Sequence, residues 1–133
     1  MIFVDSSFWI AAAVEPDAHH DNAAELLSRA AAASLTTSNH VVGETWTFVR
    51  RRFGHRLAVG MIDRIERTPR LRTIRIDQET EHEAWRWLRA HDEREYSFVD
   101  ATSFALMRSL RIREALAFDG DFTAAGFVEL RPE

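Results

Sequence analysis

Short apolar runs of strand length alternate with helical stretches along this chain, and that alternation admits few folds. Residues 2–5, 34–37, 71–76, 115–118 and 127–130 read as strands, from the apolar run Ile2-Phe3-Val4 to the closing Phe127–Leu130 segment. Between them lie stretches with helical periodicity. Residues 6–14 carry Phe8, Trp9, Ile10 and an alanine run, and stop near Pro16. A second helix covers about 18–33. Ser38 or Asn39 is placed to N-cap a third through about Phe53, and a fourth runs from about His55 to Arg67, before Pro69. Asp77 caps a fifth carrying Ala84, Trp85 and Leu88. The sixth, Ser97 to Leu110, is apolar around most of its circumference and so expects deep burial. Strand–helix repetition of this kind implies βαβ units and an α/β fold with a mostly parallel sheet. The length, 133 residues, suits one domain spanning 1–133.

Composition narrows the chemistry. There is no Cys, which removes disulfides, thiolate zinc sites and cysteine nucleophiles together. All 17 basic residues are Arg, so mechanisms that need a lysine are excluded. The formal net charge of −4 gives no global basic field that would advertise a nucleic-acid partner. No apolar stretch approaches the ~20 residues needed to cross a bilayer, and the amino-terminal residues run directly into a strand. A cytoplasmic protein without membrane association or signal peptide is expected.

Acids recur where apolar elements end. Asp5 closes the first strand, Asp100 opens the buried sixth helix, and Asp119 and Asp121 follow Ala115–Phe118. Glu44 falls roughly 40° outside the apolar arc of the third helix, at the Phe48 edge, so it can point into a neighbouring cleft. In open α/β sheets the ligand crevice lies beyond the carboxyl ends of the strands. Carboxylates converging there call for a hard divalent cation, because like charges this close cannot all ionise without one. Each acid also has a plainer reading. Asp5 suits an N-cap, although Ser6 and Ser7 could cap as well. Asp100 suits a capping box with Ser97. Asp119-Gly120 is a strong turn signal. The string Asp119-Gly120-Asp121-Phe122-Thr123 also matches the D-x-D-x-T motif of haloacid-dehalogenase-type phosphatases, but only ten residues follow Thr123 and that family's later Lys is absent. Four such positions in one small parallel domain are hard to assign to four unrelated caps.

Other residues carry less. The histidines show no zinc-type spacing and read as surface or capping residues. Trp85 and Trp87 read as packing residues rather than a base-stacking platform. In the basic run Arg50-Arg51-Arg52, Arg51 lies on the face of Glu44, roughly 10 Å further along the helix axis. It is a candidate phosphate contact, whereas Arg50 and Arg52 point elsewhere.

The ordered set Val4-Asp5-Ser6-Ser7, Glu44, Ser97-Phe98-Val99-Asp100-Ala101-Thr102 and Ala117-Phe118-Asp119-Gly120-Asp121-Phe122 resembles the PIN-domain ribonucleases, and within them the VapC-type toxins of bacterial toxin–antitoxin pairs. The resemblance implies a three-layer α/β/α sandwich around a short, mostly parallel sheet. It implies Asp5, Glu44, Asp100 and Asp119 as a catalytic quartet, with Asp5, Asp100, Asp119 and the auxiliary Asp121 toward metal. Ser6 and Thr102 would support Asp5 and Asp100. Mg²⁺ or Mn²⁺, a homodimer and a cognate antitoxin are implied as well, with operator DNA reached only through that antitoxin. Phe8, Trp9 and Trp46 would belong to helices bordering the antitoxin groove, with some of this aromatic surface exposed in the free protein; core packing is the alternative reading of each. One departure stands out: Phe118 occupies a place where Thr or Ser is common. The resulting reading is a metal-dependent endoribonuclease toxin cleaving cellular RNA. The rivals are a structure-specific DNA nuclease with the same acids and a non-catalytic module that binds a partner.

Overall fold

The computed structural model describes residues 1–14 and 17–132, with Ala31 described by its backbone alone; Pro16, the expected stop of the first helix, lies outside them. Five strands form one sheet: β1 (Ile2–Val4), β2 (Leu35–Ser38), β3 (Leu71–Ile74), β4 (Glu114–Leu116) and β5 (Val128–Glu129). Their order is β3-β2-β1-β4-β5 and every pairing is parallel, with Phe3 opposite Thr36 on one side and Ala115 on the other. The central strands are buried on both faces, as parallel sheets require. β3, at one edge, exposes Arg72 and Thr73.

The helices are α1 (Ser6–Ala13), α2 (His20–Arg29), α3 (Asn39–Phe53), α4 (His55–Glu66), α5 (Gln78–Ala90), α6 (Phe98–Leu110) and α7 (Asp121–Ala124). α2 ends in a 3₁₀ turn, Ala30–Ala32, where a single helix to residue 33 was expected. Right-handed crossovers place α1–α4 on one face of the sheet and α5–α7 on the other. α1 accordingly packs on α2 and α3, α3 on α4, and α6 on α5 and α7. The expected three-layer architecture is borne out. α7 is an addition, since residues 121–124 read as part of a turn.

Local chemistry sets the element ends. Ser38 accepts from the Val41 N–H and Asp77 from the Thr80 N–H, as expected of N-caps. Gly54, at φ +94°, ends α3 and starts α4, a reversal that an L side chain would strain. Residues 100–107 of α6 are all buried. Its hydroxyls are satisfied within the helix, because Thr102 and Ser103 both donate to the Val99 carbonyl. No helix among the described residues is long and apolar enough to cross a membrane.

The strand order fixes where a site can lie. From β1 the chain moves outward through β2 to β3, then returns to the opposite side of β1 for β4 and β5. The order reverses between β1 and β4, which opens a crevice beyond their carboxyl ends. Asp5 immediately follows β1 there, and Asp119 lies three residues past β4.

Phe104 anchors the second layer. It is fully buried and meets the rings of Trp87, Tyr96, Phe122 and Phe127. Phe104→Ala should lower the free energy of unfolding in urea by about 3–5 kcal/mol, whereas Val128→Ala, at a site 54% exposed, should stay within about 0.5 kcal/mol of the parent.

Candidate metal centre

Asp5 is the deepest acid, 1% exposed at the end of β1. Its backbone N–H extends the ladder by donating to the Leu116 carbonyl at 3.0 Å, which fixes the main chain against β4. Oδ2 accepts from the Ser7 N–H at 3.2 Å and the Ser7 hydroxyl at 2.8 Å. That hydroxyl in turn accepts from the Phe118 N–H at 3.0 Å. Ser7 therefore ties the ends of β1 and β4 together and locks the carboxylate rotamer. Oδ1 is buried with no hydrogen-bond partner. The N-cap reading of Asp5 is thus satisfied by one oxygen and leaves the other unexplained.

Asp100 likewise does two things. Ser97 and Asp100 form the full capping box of α6: the Ser97 N–H donates to Asp100 Oδ2 at 3.0 Å and the Asp100 N–H to Ser97 Oγ at 2.9 Å. That spends one carboxylate oxygen and leaves the second. Asp119, Gly120 and Asp121 form a tight reversal, in which the Asp121 N–H donates to Asp119 Oδ1 at 3.1 Å and Gly120 takes φ +82°. The reversal turns both acids toward Asp100, and one oxygen from each of the three lies within 4.8 Å of the others. Asp5 stands outside that triangle, at the buried side of Asp119.

Glu44 closes the other side of the crevice. Its Oε1 accepts from the Ser6 hydroxyl at 2.8 Å, joining α3 to α1. Ser6 therefore supports Glu44 and not Asp5 as expected. The two serines begin α1 about 100° apart, so one faces β4 and its neighbour faces α3. Thr102 makes no bond to Asp100; its hydroxyl is used inside α6.

Two residues passed over in the sequence build the acidic reversal. Arg94, in the loop before α6, donates through Nε and Nη2 to Asp121 Oδ1 at 3.0 and 2.8 Å. Glu129 on β5 accepts from the Gly120 N–H at 3.3 Å and the Thr123 N–H at 2.9 Å, one oxygen each. Neither belongs to a periodic pattern or motif, so only the spacing of an edge strand behind the Asp-Gly turn hinted at Glu129.

The charges are strained by this packing. Burial first, then the charge of Asp119, hold the Asp5 carboxyl well above the usual carboxylate range, against the pull of Ser7. Burial pushes Asp119 up to about 6, with Asp121 and Asp100 adding to it. Asp100 and Glu44 are raised as well, each mainly by burial. An all-oxygen donor set that repels itself, together with a buried unpartnered oxygen on Asp5, fits a hard divalent cation.

Two grooves flank the acids and share Glu44 and Phe48. One, of about 490 Å³, runs between Ser6, His19, Phe118 and Asp119; the other, of about 710 Å³, is walled by His40, Phe98, Arg51 and Arg52. Arg51 lies where expected. Arg52 does not: its long side chain folds back over the Phe48 ring, with Cζ 5.2 Å from the centroid, and lines the same groove. Of the three aromatics that could border a groove, Phe8 and Trp9 take the core-packing alternative and are sealed inside, and Trp46 is half-buried.

A parallel sheet with acids converging at its switch point is an α/β domain with an acidic ligand crevice suited to a divalent cation. The PIN domain model matches residues 2–128, and the chain belongs to that family. It is 54% identical, over all of both chains, to proteins from two strains of Mycobacterium tuberculosis named 23S rRNA-specific endonuclease VapC20. A crystal structure of Mycobacterium tuberculosis VapC20, described as a Sarcin-Ricin loop cleaving toxin, superimposes with a TM-score of 0.93 at 52% identity, covering 99% of this chain and 100% of the other. The expected family, fold and endonuclease class are borne out by these relatives.

The raised carboxyls set the pH dependence of the cation-free protein. Their folded-state pKa values exceed the unfolded values near 4, so their stabilising contribution is complete below about pH 4 and lost as pH rises through about 6, the value for Asp119. In EDTA, Asp119→Asn should therefore melt above the parent at pH 7, with the difference vanishing near pH 4. Mn²⁺ should raise the melting temperature of the parent at pH 7 and raise that of Asp119→Asn much less. A variant that melts below the parent at pH 7 in EDTA would assign Asp119 a structural role instead.

Proposed function

We propose that this chain is the toxin of a type II toxin–antitoxin pair, a cytoplasmic endoribonuclease that hydrolyses a phosphodiester in ribosomal RNA with Mg²⁺ or Mn²⁺. The single observation that carries the reading is the orphaned, buried Asp5 Oδ1 beside three carboxylates whose oxygens lie within 4.8 Å of one another. Residues 1–133 act as one domain in this reading, and the relatives named as rRNA endonucleases support the choice of substrate class.

The roles follow from which oxygens are already spent. Asp5, Asp100 and Asp119 supply the hard donors, each with one oxygen fixed by protein hydrogen bonds and one left over. A divalent cation held there stabilises charge on the scissile phosphate and makes the attacking water more acidic. Asp121 completes the donor set from its Oδ2, while Arg94 occupies its Oδ1. Glu44 has Oε1 anchored by Ser6, so Oε2 is available to orient the water and accept its proton. No side-chain nucleophile takes part. Arg51 and Arg52 line the groove leading away from Glu44 and receive flanking phosphates. The exposed Phe48 and half-buried Trp46 lie where the cognate antitoxin would cover the groove, and a homodimer is the expected assembly.

The test compares labelled RNA hairpins from large-subunit ribosomal RNA with DNA of the same sequence, with and without Mg²⁺. RNA should be cut only with the cation, and DNA left intact. Asp5→Asn and Asp119→Asn should slow cleavage by about 10²–10³-fold, the equivalent of several kcal/mol of lost charge stabilisation. Arg51→Ala and Arg52→Ala should each weaken RNA binding and flatten its salt dependence by about one phosphate contact, leaving Mn²⁺ affinity unchanged. Preferential cutting of DNA would reassign the substrate, and metal-independent cutting would remove the acids from the chemistry.

A further inference from the structure

Trp85 differs from the other three tryptophans. Trp9 is sealed in the core, Trp46 packs edge-on to His55, and Trp87 packs edge-on to Tyr96 and Phe104. Trp85 leaves 45% of its surface exposed, although its ring is held in place: it stacks on Phe98 with centroids 4.3 Å apart and planes 24° from parallel. Phe98 lies 5.8 Å from the His40 ring, and both line the groove that contains Glu44. A ladder of three rings thus runs from the solvent face of α5 to the edge of the acidic crevice. Cations surround it. Arg51 and Arg52 stand in the groove wall, and Arg86 and Arg89 flank Trp85 itself. Arg86 pairs with Glu83, but among the described residues no ion pair engages Arg51, Arg52 or Arg89.

We infer that Trp85 and Phe98 form a stacking platform for one unpaired base of the RNA, next to the nucleotide whose phosphate meets the acids. The inference rests on the endoribonuclease reading and adds to it a base-binding subsite that selects looped RNA. Pre-ordered aromatic faces amid arginines are the surface that single-stranded nucleic acid binds, because every base has a π-face and every phosphate a charge. A paired stem cannot offer that face, so the platform discriminates loop from helix without reading sequence. Continuity with Glu44 through Phe98 and His40 places the base on the same strand as the scissile bond. A second copy of this chain seated on the same face is the alternative occupant, which sedimentation decides.

The experiment measures binding of fluorescein-labelled hairpin RNA to the full chain in Ca²⁺, with single abasic substitutions walked through the loop. Trp85→Ala should weaken the intact hairpin by about 5–150-fold, the range for one stacked base, and Trp85→Phe should recover most of it. One abasic position should weaken the parent to the level of Trp85→Ala and leave Trp85→Ala itself unaffected, the coupling expected of a direct contact. Mn²⁺ affinity should not change, since Trp85 touches none of the acids, and the melting temperature should fall by only a few degrees for the lost stack on Phe98. The proposal is overturned if Trp85→Ala stays within about twofold of the parent, or if its loss adds to that of every abasic position. A change in sedimenting mass of the free protein, with RNA affinity following that mass, would instead make this face an interface between copies. A parent that neither binds nor cuts any RNA would bring down the endoribonuclease reading as well, a result distinct from normal cleavage by an indifferent Trp85→Ala.

Discussion

A carboxylate oxygen sealed in protein without a donor, as Asp5 Oδ1 is, costs free energy until a proton or a cation partners it. The rest of the site depends on it. Asp5 is there because β1 is the central strand and the chain must leave it at the sheet's switch point. It stays there because Ser7 holds Oδ2 and, through the same hydroxyl, the Phe118 N–H at the end of β4. One serine therefore sets both the direction of the first acid and the starting point of the turn that delivers Asp119 and Asp121. Burial is the first cause that raises the carboxyls of Asp5, Asp100, Asp119 and Glu44, and the charges of neighbouring acids add to it. A divalent cation, in the proposed reading, would relieve this crowding by replacing protons as the partner of the acids.

Much of this was legible in the sequence because the relevant signals are local. Apolar runs bounded by turn residues gave the strands, and Ser38 and Asp77 were recognisable caps because a cap needs only its own first turn. The acids stood out because each follows a strand or opens a helix. The partners of those acids were not legible. Ser6 and Ser7 are neighbours of identical chemistry, and only the packing of α1 between β4 and α3 decides which serves Asp5 and which serves Glu44. Arg94 and Glu129 lie in a loop and on a two-residue edge strand, where no periodicity announces a role. Arg52 was misread for a different reason. Its Cα faces away from the groove, but an arginine stem is long enough to fold back over Phe48. For Phe8 and Trp9 the sequence left groove edge and core both open; α1 buries both, with the Phe8 ring stacked on Phe118 and Trp9 edge-on to Phe8.

The departure at Phe118 illustrates how a substitution can be absorbed. A hydroxyl there would have offered Asp119 a donor; the phenyl ring instead stacks on His19 at 4.5 Å and lies under Arg131, with Cζ 4.9 Å from its centroid. Arg131 then bonds the Ala117 carbonyl and Glu129, and Glu129 holds the backbone of the acidic reversal. The support of Asp119 has moved from one side-chain donor to a clamp on the main chain around it. That exchange keeps the turn in place without adding a hydrogen bond that would lower the Asp119 pKa, and so preserves a carboxyl that gives up its proton near neutrality.

A protein with a net charge of −4 that holds RNA at a cluster of acids must gather its attraction from elsewhere on its surface. Distance does part of this work, since charges separated by more than about 8–10 Å in physiological salt are largely screened from one another. The acids are recessed in the crevice, while Arg51 and Arg52 stand further along α3 and Arg89 on α5, free of ion pairs among the described residues. In the proposed reading, a strand lying along the groove would meet cations at its flanking phosphates and acids only at the phosphate to be cut. A divalent cation held by those acids would reverse the local sign that otherwise repels that phosphate. Metal loading and RNA engagement would then be coupled through the electrostatics of the crevice.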